Sequence, residues 1–186
     1  MAVALHCKLN FVLNKIGFGG SCHWCTEAIF LSIKGVQEVS QGWIAPDNDP
    51  ELFSEAVIVA FDKDAISLAD LVTVHLHSHS CTSDHHLRSK YRSAIYLMDA
   101  DQETDVRRAI AENQKNFKEK IITDVIPFGA FKINSDNYLN YYFKDPQKPF
   151  CENIVNPKLM EIIRNFNHLV NREKLSHLLN DMIIDH

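Results

Sequence analysis

A chain of 186 residues, 46% hydrophobic and 23% charged, has the composition of an ordinary globular protein with one core. A formal net charge of −5, with no basic run interleaved with aromatics, excludes a nucleic-acid surface and leaves small molecules or proteins as expected partners. Lys8 and Lys15 interrupt the apolar N-terminal stretch and no later run could span a bilayer, so no signal peptide or membrane attachment is expected and the default compartment is the cytoplasm.

Residues 8–18 read as a strand that runs into Gly17, Gly19 and Gly20. Residues 25–34 carry helical apolar spacing at Ala28, Ile29, Phe30 and Ile33 until Gly35 stops them, which puts Cys22 at or just before a helix N-terminus. "VQEVSQGWI" (36–44) and "EAVIVAF" (55–61) read as strands around the polar turn "APDNDP". Ser67 caps a helix over 67–76, followed by the histidine-rich "HSHSCTSDHHLRSK", which lacks apolar periodicity and reads as a loop. A strand over 92–98, a charged amphipathic helix from Asp101 to about Glu119, a strand over 123–133 and a short helix over 136–143 follow. Apolar residues at 159, 162, 163, 166 and 169, then 175, 178, 179 and 182, mark two further helices. Strands mixed with helices over 1–150 predict an α+β domain, a sheet covered by helices, with a helical extension at the C-terminus.

The chemistry concentrates in "GFGGSCHWCTEAIF" (17–30). Five cysteines, an odd number without a secretory signal, are not a disulfide framework, so thiol chemistry here is transient or metal-bound. A helix N-terminus stabilises a thiolate, which makes Cys22 the better placed nucleophile, with glycines at 17, 19 and 20 leaving room beside the sulfur. Cys22 and Cys25 also form a CxxC pair, which admits a dithiol switch. A tetrahedral zinc site would need two further ligands, and His75, His77, His79, Cys81, His85 and His86 are the candidates. The scattered imidazoles lack a second tight pair and read as solvated loop or helix-end residues.

"GGSCHWCTEAIF" (19–30), "FSEAVIVAFDKDAIS" (53–67), "KYRSAIY" (90–96) and "DNYLNYYFKDPQKPFC" (136–151) occur in that order. Each is similar to a stretch of the peptide methionine sulfoxide reductase A family, and together they cover about residues 10–152. The resemblance implies a ferredoxin-like mixed sheet in a catalytic segment 1–152, with residues 153–186 as an extension. It implies reduction of the S epimer of methionine sulfoxide, free or in proteins, without a cofactor and with thioredoxin or a similar dithiol as reductant. Cys22 falls on the family nucleophile and Glu55 on the acid that protonates the departing oxygen; a glutamate desolvated against an aromatic pocket favours its protonated form. His23, Trp24 and Trp43 fall on pocket walls, and Tyr91 on a pocket hydroxyl. A pocket aspartate maps to Asp84 with a shift, and to His86 by ungapped counting. His23 and Trp43 replace a phenylalanine and a tyrosine of the family pattern, and the histidine-rich loop is shorter than the family's.

Attack on the sulfoxide would convert Cys22 to a sulfenic acid, which condenses with a second thiol. The resemblance makes Cys151 the resolving cysteine, in a segment expected to be mobile between "KDPQKP" and the tail helices. Cys25, a small buried helical residue, is the alternative. The competing reading from another class is a non-catalytic binding, sensing or metal-binding protein on the same fold.

Overall fold

The computed structural model describes residues 13–179. In chain order it runs β1 (Asn14–Gly19), α1 (His23–Leu31), β2 (Val36–Pro46), β3 (Ser54–Phe61), α2 (Leu68–Ser78), β4 (Ala94–Leu97), α3 (Gln102–Asn113), β5 (Asp124–Ile133), α4 (Tyr141–Lys144) and α5 (Asn156–Phe166). The part of the first predicted strand at 8–12, and position 182 of the last predicted helix, lie outside the described residues.

The first six elements form the expected mixed α+β unit, with strands side by side as β4-β1-β3-β2. β5 then pairs antiparallel with β2 and parallel with β4, closing the sheet into a five-stranded ring. Successive side chains on a strand face opposite sides, so each strand contributes to two cores. Ile16 and Phe18, Val57, Val59 and Phe61, and Ile95 and Leu97 join Ile29, Phe30 and Leu71 in the core beneath the helices. Phe18 stacks on Phe30 with ring centroids 4.6 Å apart. Each such fully buried side chain contributes about 1.5–3 kcal/mol of transfer free energy. The alternate residues Ala56, Ala94 and Tyr96 meet Ile44 inside the ring. Gly17 is required there, because a Cβ would come within 2.8 Å of Ile44 and 2.9 Å of Tyr96.

Two predicted helices have different bounds, each with a local cause. The predicted helix over 101–119 ends at Asn113 and passes into a 3-10 turn, Gln114–Asn116. The Gln114 side chain donates to the Phe117 and Glu119 carbonyls and accepts from the Ile121 N–H, giving this backbone partners outside a helix. The predicted helix over 136–143 shrinks to α4, because Asn140 is left-handed (φ 52°) and the Asn140 and Tyr141 N–H groups donate to Glu27. The segment around Cys151, expected to be mobile, is instead a π-turn, Cys151–Val155, that leads directly into α5. Cys151, Val155, Leu159, Ile162 and Ile163 are buried in the same core as α1 and α2. The chain after α5 is tied to the C-terminus of α1 by Asn171 N–H to the Ser32 carbonyl (2.7 Å) and Lys34 N–H to the Leu169 carbonyl (2.8 Å).

Candidate active site

The loop from β1 to α1 places Cys22. Gly20 takes φ +145°, which L side chains rarely adopt, and a Cβ there would run into the His79 ring. Gly19 lies in β1, where a Cβ would come within 2.9 Å of the Arg92 carbonyl. The sequence led us to expect room beside the sulfur from all three glycines, but Gly17 and Gly19 serve strand packing and Gly20 alone makes the turn. Cys22 occupies the N-cap position of α1, which has no side-chain cap, so the first-turn N–H groups are left for the sulfur. The Cys25 thiol and the Trp24 and Cys25 backbone N–H groups donate to Cys22 and lower its pKa, against the opposing effects of burial and the Glu55 charge. Cys25 is 1% exposed and shifts the other way, because the Cys22 thiolate and burial both hold its proton on. Removing that S–H donor in Cys25→Ala destabilises the thiolate. The pH midpoint for alkylation of Cys22 should therefore move upward, by about one unit for one lost hydrogen bond to a charged group; an unchanged midpoint would contradict this account.

Cys22 opens into a cavity of about 500 Å³ lined also by Trp24, Glu55, Tyr91, Phe150 and Lys158. Glu55, at the start of β3, is 7% exposed. Its Oε2 accepts from the His23 backbone N–H (3.2 Å), and its Oε1 lies 3.3 Å from the Lys90 ammonium. Its surroundings are therefore more polar than the aromatic pocket expected from sequence. Lys90 and Tyr91 are brought in by bonds to β3: the Glu55 N–H and the Ser54 hydroxyl both donate to the Lys90 carbonyl at 2.9 Å, and Ser54 accepts from the Arg92 N–H at 2.8 Å. On the other side Trp24 stacks on Tyr141 (4.2 Å, interplanar angle 5°) and meets the Phe150 ring edge-on at 5.4 Å. This makes a flat apolar wall suited to a thioether methyl group.

Of the histidines expected to be solvated loop or helix-end residues, His75 and His77 are in the last turn of α2 and His79 is its C-cap, but His75 is buried rather than solvated. α2 extends to Ser78 and carries His75 and His77. His75 is 1% exposed and bonds the Gly19 carbonyl through Nε2 at 2.8 Å. His79 Nδ1 donates to the His75 carbonyl at 2.8 Å, so its Nε2 accepts from Ser93 at 2.7 Å; burial brings its pKa down to about 4. Both rings are fixed packing elements behind the Gly19-Gly20 turn. Among the described residues no group of three or more His, Cys, Asp or Glu side chains converges in a way that could hold a metal.

A family model described as peptide methionine sulfoxide reductase matches residues 14–169. The peptide methionine sulfoxide reductase MsrA of Pasteurella multocida is 31% identical over 166 residues, which cover 82% of this chain and 95% of that protein. The chain belongs to the peptide methionine sulfoxide reductase family. Methionine sulfoxide reductase A of Corynebacterium diphtheriae shares the fold, with TM-score 0.62 and 22% identity over 72% of this chain and 76% of that one. So does reduced Mxr1 from Saccharomyces cerevisiae, with TM-score 0.63 and 19% identity over 75% and 89% of the two chains. Mxr1 has also been determined in complex with Trx2, a structure that superposes with TM-score 0.52 at 17% identity over 69% of this chain and 84% of that one.

Within this reductase fold, Cys22, His23, Trp24, Cys25, Glu55 and Tyr91 all line the cavity. Four predicted residues do not. Trp43 lies behind His23, edge-on to its ring at 5.3 Å, because its β2 position pairs with Glu55 across the strands. Asp84 and His86 are exposed, and His85 lines the cavity in their place, since the short turns of this loop point the neighbouring side chains outward. Cys151 is 0% exposed, with burial raising its pKa. Sequence reasoning missed Lys158, whose ammonium donates to the Ser21 hydroxyl at 3.1 Å, because α5 lies beyond the resembling segments. It also missed Tyr141 and Phe150, although the aromatic density of "NYYFKDPQKPF" was a signal for them. No helix among the described residues is long and apolar enough to cross a membrane.

Proposed function

We propose that this chain is a peptide-methionine (S)-S-oxide reductase, acting on the S epimer of methionine sulfoxide, free or in proteins. The observation that carries the reading is the Cys22 thiol at the α1 N-terminus, with its pKa lowered, in one cavity with Glu55 and the Trp24 wall. The Cys22 thiolate attacks the sulfoxide sulfur while Glu55 gives its proton to the oxygen. The protonated oxygen then passes to the Cys22 sulfur as the substrate S–O bond and the new bond between the two sulfurs break, so methionine leaves and Cys22 carries the oxygen as a sulfenic acid; Glu55 takes a proton back from solvent. A second thiol then displaces water to form a disulfide. A dithiol reductant of the thioredoxin type reduces it, which suits a cytoplasmic location where such reductants are kept reduced. On this reading 1–152 is the catalytic segment and 153–186 an extension, of which the α5 residues Leu159, Ile162 and Ile163 pack into the same core.

The fold favours Cys25 over Cys151 as the first thiol to condense. Cys25 follows Cys22 by three residues in the first turn of α1, a spacing at which a CxxC disulfide can form. Cys151 is fully buried and must leave its turn to take part. It is buried in the same core as Cys25, so it is the candidate to accept the disulfide afterwards by exchange. Peptide mapping after one turnover without reductant should find the Cys22–Cys25 bridge first, and Cys151→Ser should still form it. A Cys22–Cys151 bridge formed at full rate in Cys25→Ser would reverse the order. The function itself is tested by coupling the protein to thioredoxin, its reductase and NADPH. NADPH should be consumed on addition of the S epimer and not the R epimer, and equal or absent consumption would contradict the proposal.

A further inference from the structure

A chain of side-chain hydrogen bonds runs from a buried acid of α1 to the His23 imidazole, which faces Glu55, and its directions are fixed. Glu27 is 2% exposed, and its oxygens accept from the Asn140 N–H (2.8 Å), the Tyr141 N–H (3.2 Å) and Gln41 Nε2 (2.9 Å). Gln41 Nε2 also donates to the Tyr138 carbonyl, so Gln41 Oε1 is the acceptor end and takes a bond from Asn134 Nδ2 at 3.2 Å. The Asn134 Oδ1 accepts from the Ser135 N–H, which orients that amide, and Nδ2 has a second hydrogen for His23 Nε2 at 3.3 Å. His23 Nε2 therefore accepts, and the proton of the neutral ring sits on Nδ1. Burial keeps the imidazole below its ordinary pKa despite the opposing pull of Glu55 and the Gly42 carbonyl. His23 Nδ1 is buried, without a hydrogen-bond partner inside ordinary limits, and lies 3.5 Å from Glu55 Oε2. The backbone N–H of the same residue donates to the same oxygen at 3.2 Å.

We infer that His23 is a positioning residue for Glu55: its backbone N–H and its ring Nδ1–H both face Oε2, which holds the carboxyl group in one orientation, with Oε1 turned to Lys90 and the cavity. This rests on the reading of Glu55 as the proton donor. The same chain of bonds reaches Glu27, which holds the turn that carries Tyr141 against Trp24. The orientation of the acid and the aromatic wall are thereby built on one polar scaffold. Asn134, from the end of β5, acts on Glu55 only through the His23 tautomer.

Single-turnover kinetics with S-methionine sulfoxide test this in folded variants, checked by circular dichroism and melting. His23→Phe should lower the plateau rate about tenfold, the scale of one lost hydrogen bond, while the half-saturating sulfoxide concentration moves less than about twofold. His23→Asn, which restores a neutral donor near Nδ1, should recover part of the rate. Asn134→Leu should slow the parent and add nothing in the His23→Phe background, the non-additivity expected of residues acting as one unit. Nitrogen NMR of the imidazole should show the Nδ1-protonated tautomer. A plateau rate in His23→Phe equal to the parent, or an Nε2-protonated ring, would overturn the assignment. Glu55→Gln is run alongside: if it keeps the parental rate, the acid assignment itself fails and the positioning role with it. A slow Glu55→Gln beside a normal His23→Phe removes only the positioning role.

Discussion

Replacement of Cys22 by serine is expected to stop sulfoxide reduction, with a loss of about 10⁴-fold or more, the scale seen when an activated nucleophile is removed. A hydroxyl at this position stays protonated near neutral pH, and oxygen attacks a sulfoxide sulfur far less readily than a thiolate does. The donors that lower the Cys22 pKa, namely the Cys25 thiol and the first-turn N–H groups, would then solvate a neutral group and supply nothing. The side chain is close in size to cysteine, and serine is a favoured N-cap residue, so α1 should be kept or slightly stabilised. The check is methionine released per chain in a single turnover, together with the melting temperature. Release comparable to the parent would show that another group attacks the sulfoxide.

Glu55→Gln should lower the single-turnover rate by about 10²–10⁴-fold with little change in sulfoxide binding. The amide keeps the shape, and its oxygen still accepts from the His23 N–H, but it has no proton to give at neutral pH. The loss should persist across pH 6 to 8, since an amide does not titrate there. A parental rate over that range would move the role to another cavity group, with Tyr91 and Lys90 the nearest candidates on the same loop.

The fold was legible where the hydrophobic pattern alone sets it. β3 and β5 alternate or run apolar between turn residues, α2 begins at its Ser67 cap, and α5 shows its stripe at Leu159, Ile162 and Ile163. Closure of the ring by β5 was not legible, because pairing between strands far apart in sequence leaves no local pattern. The helix ends that differed were set by side chains competing for backbone groups, Gln114 after α3 and Glu27 before α4, partners that local periodicity does not reveal.

In the site, Cys22, Trp24 and Glu55 were legible through the ordered segments that carry them. The cavity contacts of Lys158 and Phe150, and the stacking of Tyr141 on Trp24, depend on how the C-terminal third folds back over α1, and no spacing within their own segments reports that. The histidines misled for a related reason. His75 bonds the Gly19 carbonyl at the end of β1, a partner far away in sequence, and His79, in a stretch that reads as a loop by composition, is held by the His75 carbonyl at the end of α2 and by Ser93.

The central claim is that the Cys22 thiol takes the oxygen of an S-configured sulfoxide and passes the oxidation to a second thiol of the same chain. The most direct measurement mixes fully reduced protein with excess S-methionine sulfoxide in the absence of any reductant, and follows free methionine by chromatography and protein thiols by mass spectrometry. The account predicts about one methionine released per active chain for each internal disulfide formed, loss of the free Cys22 thiol, and no methionine from the R epimer. No methionine from the S epimer, or release that leaves the Cys22 thiol free, would contradict it.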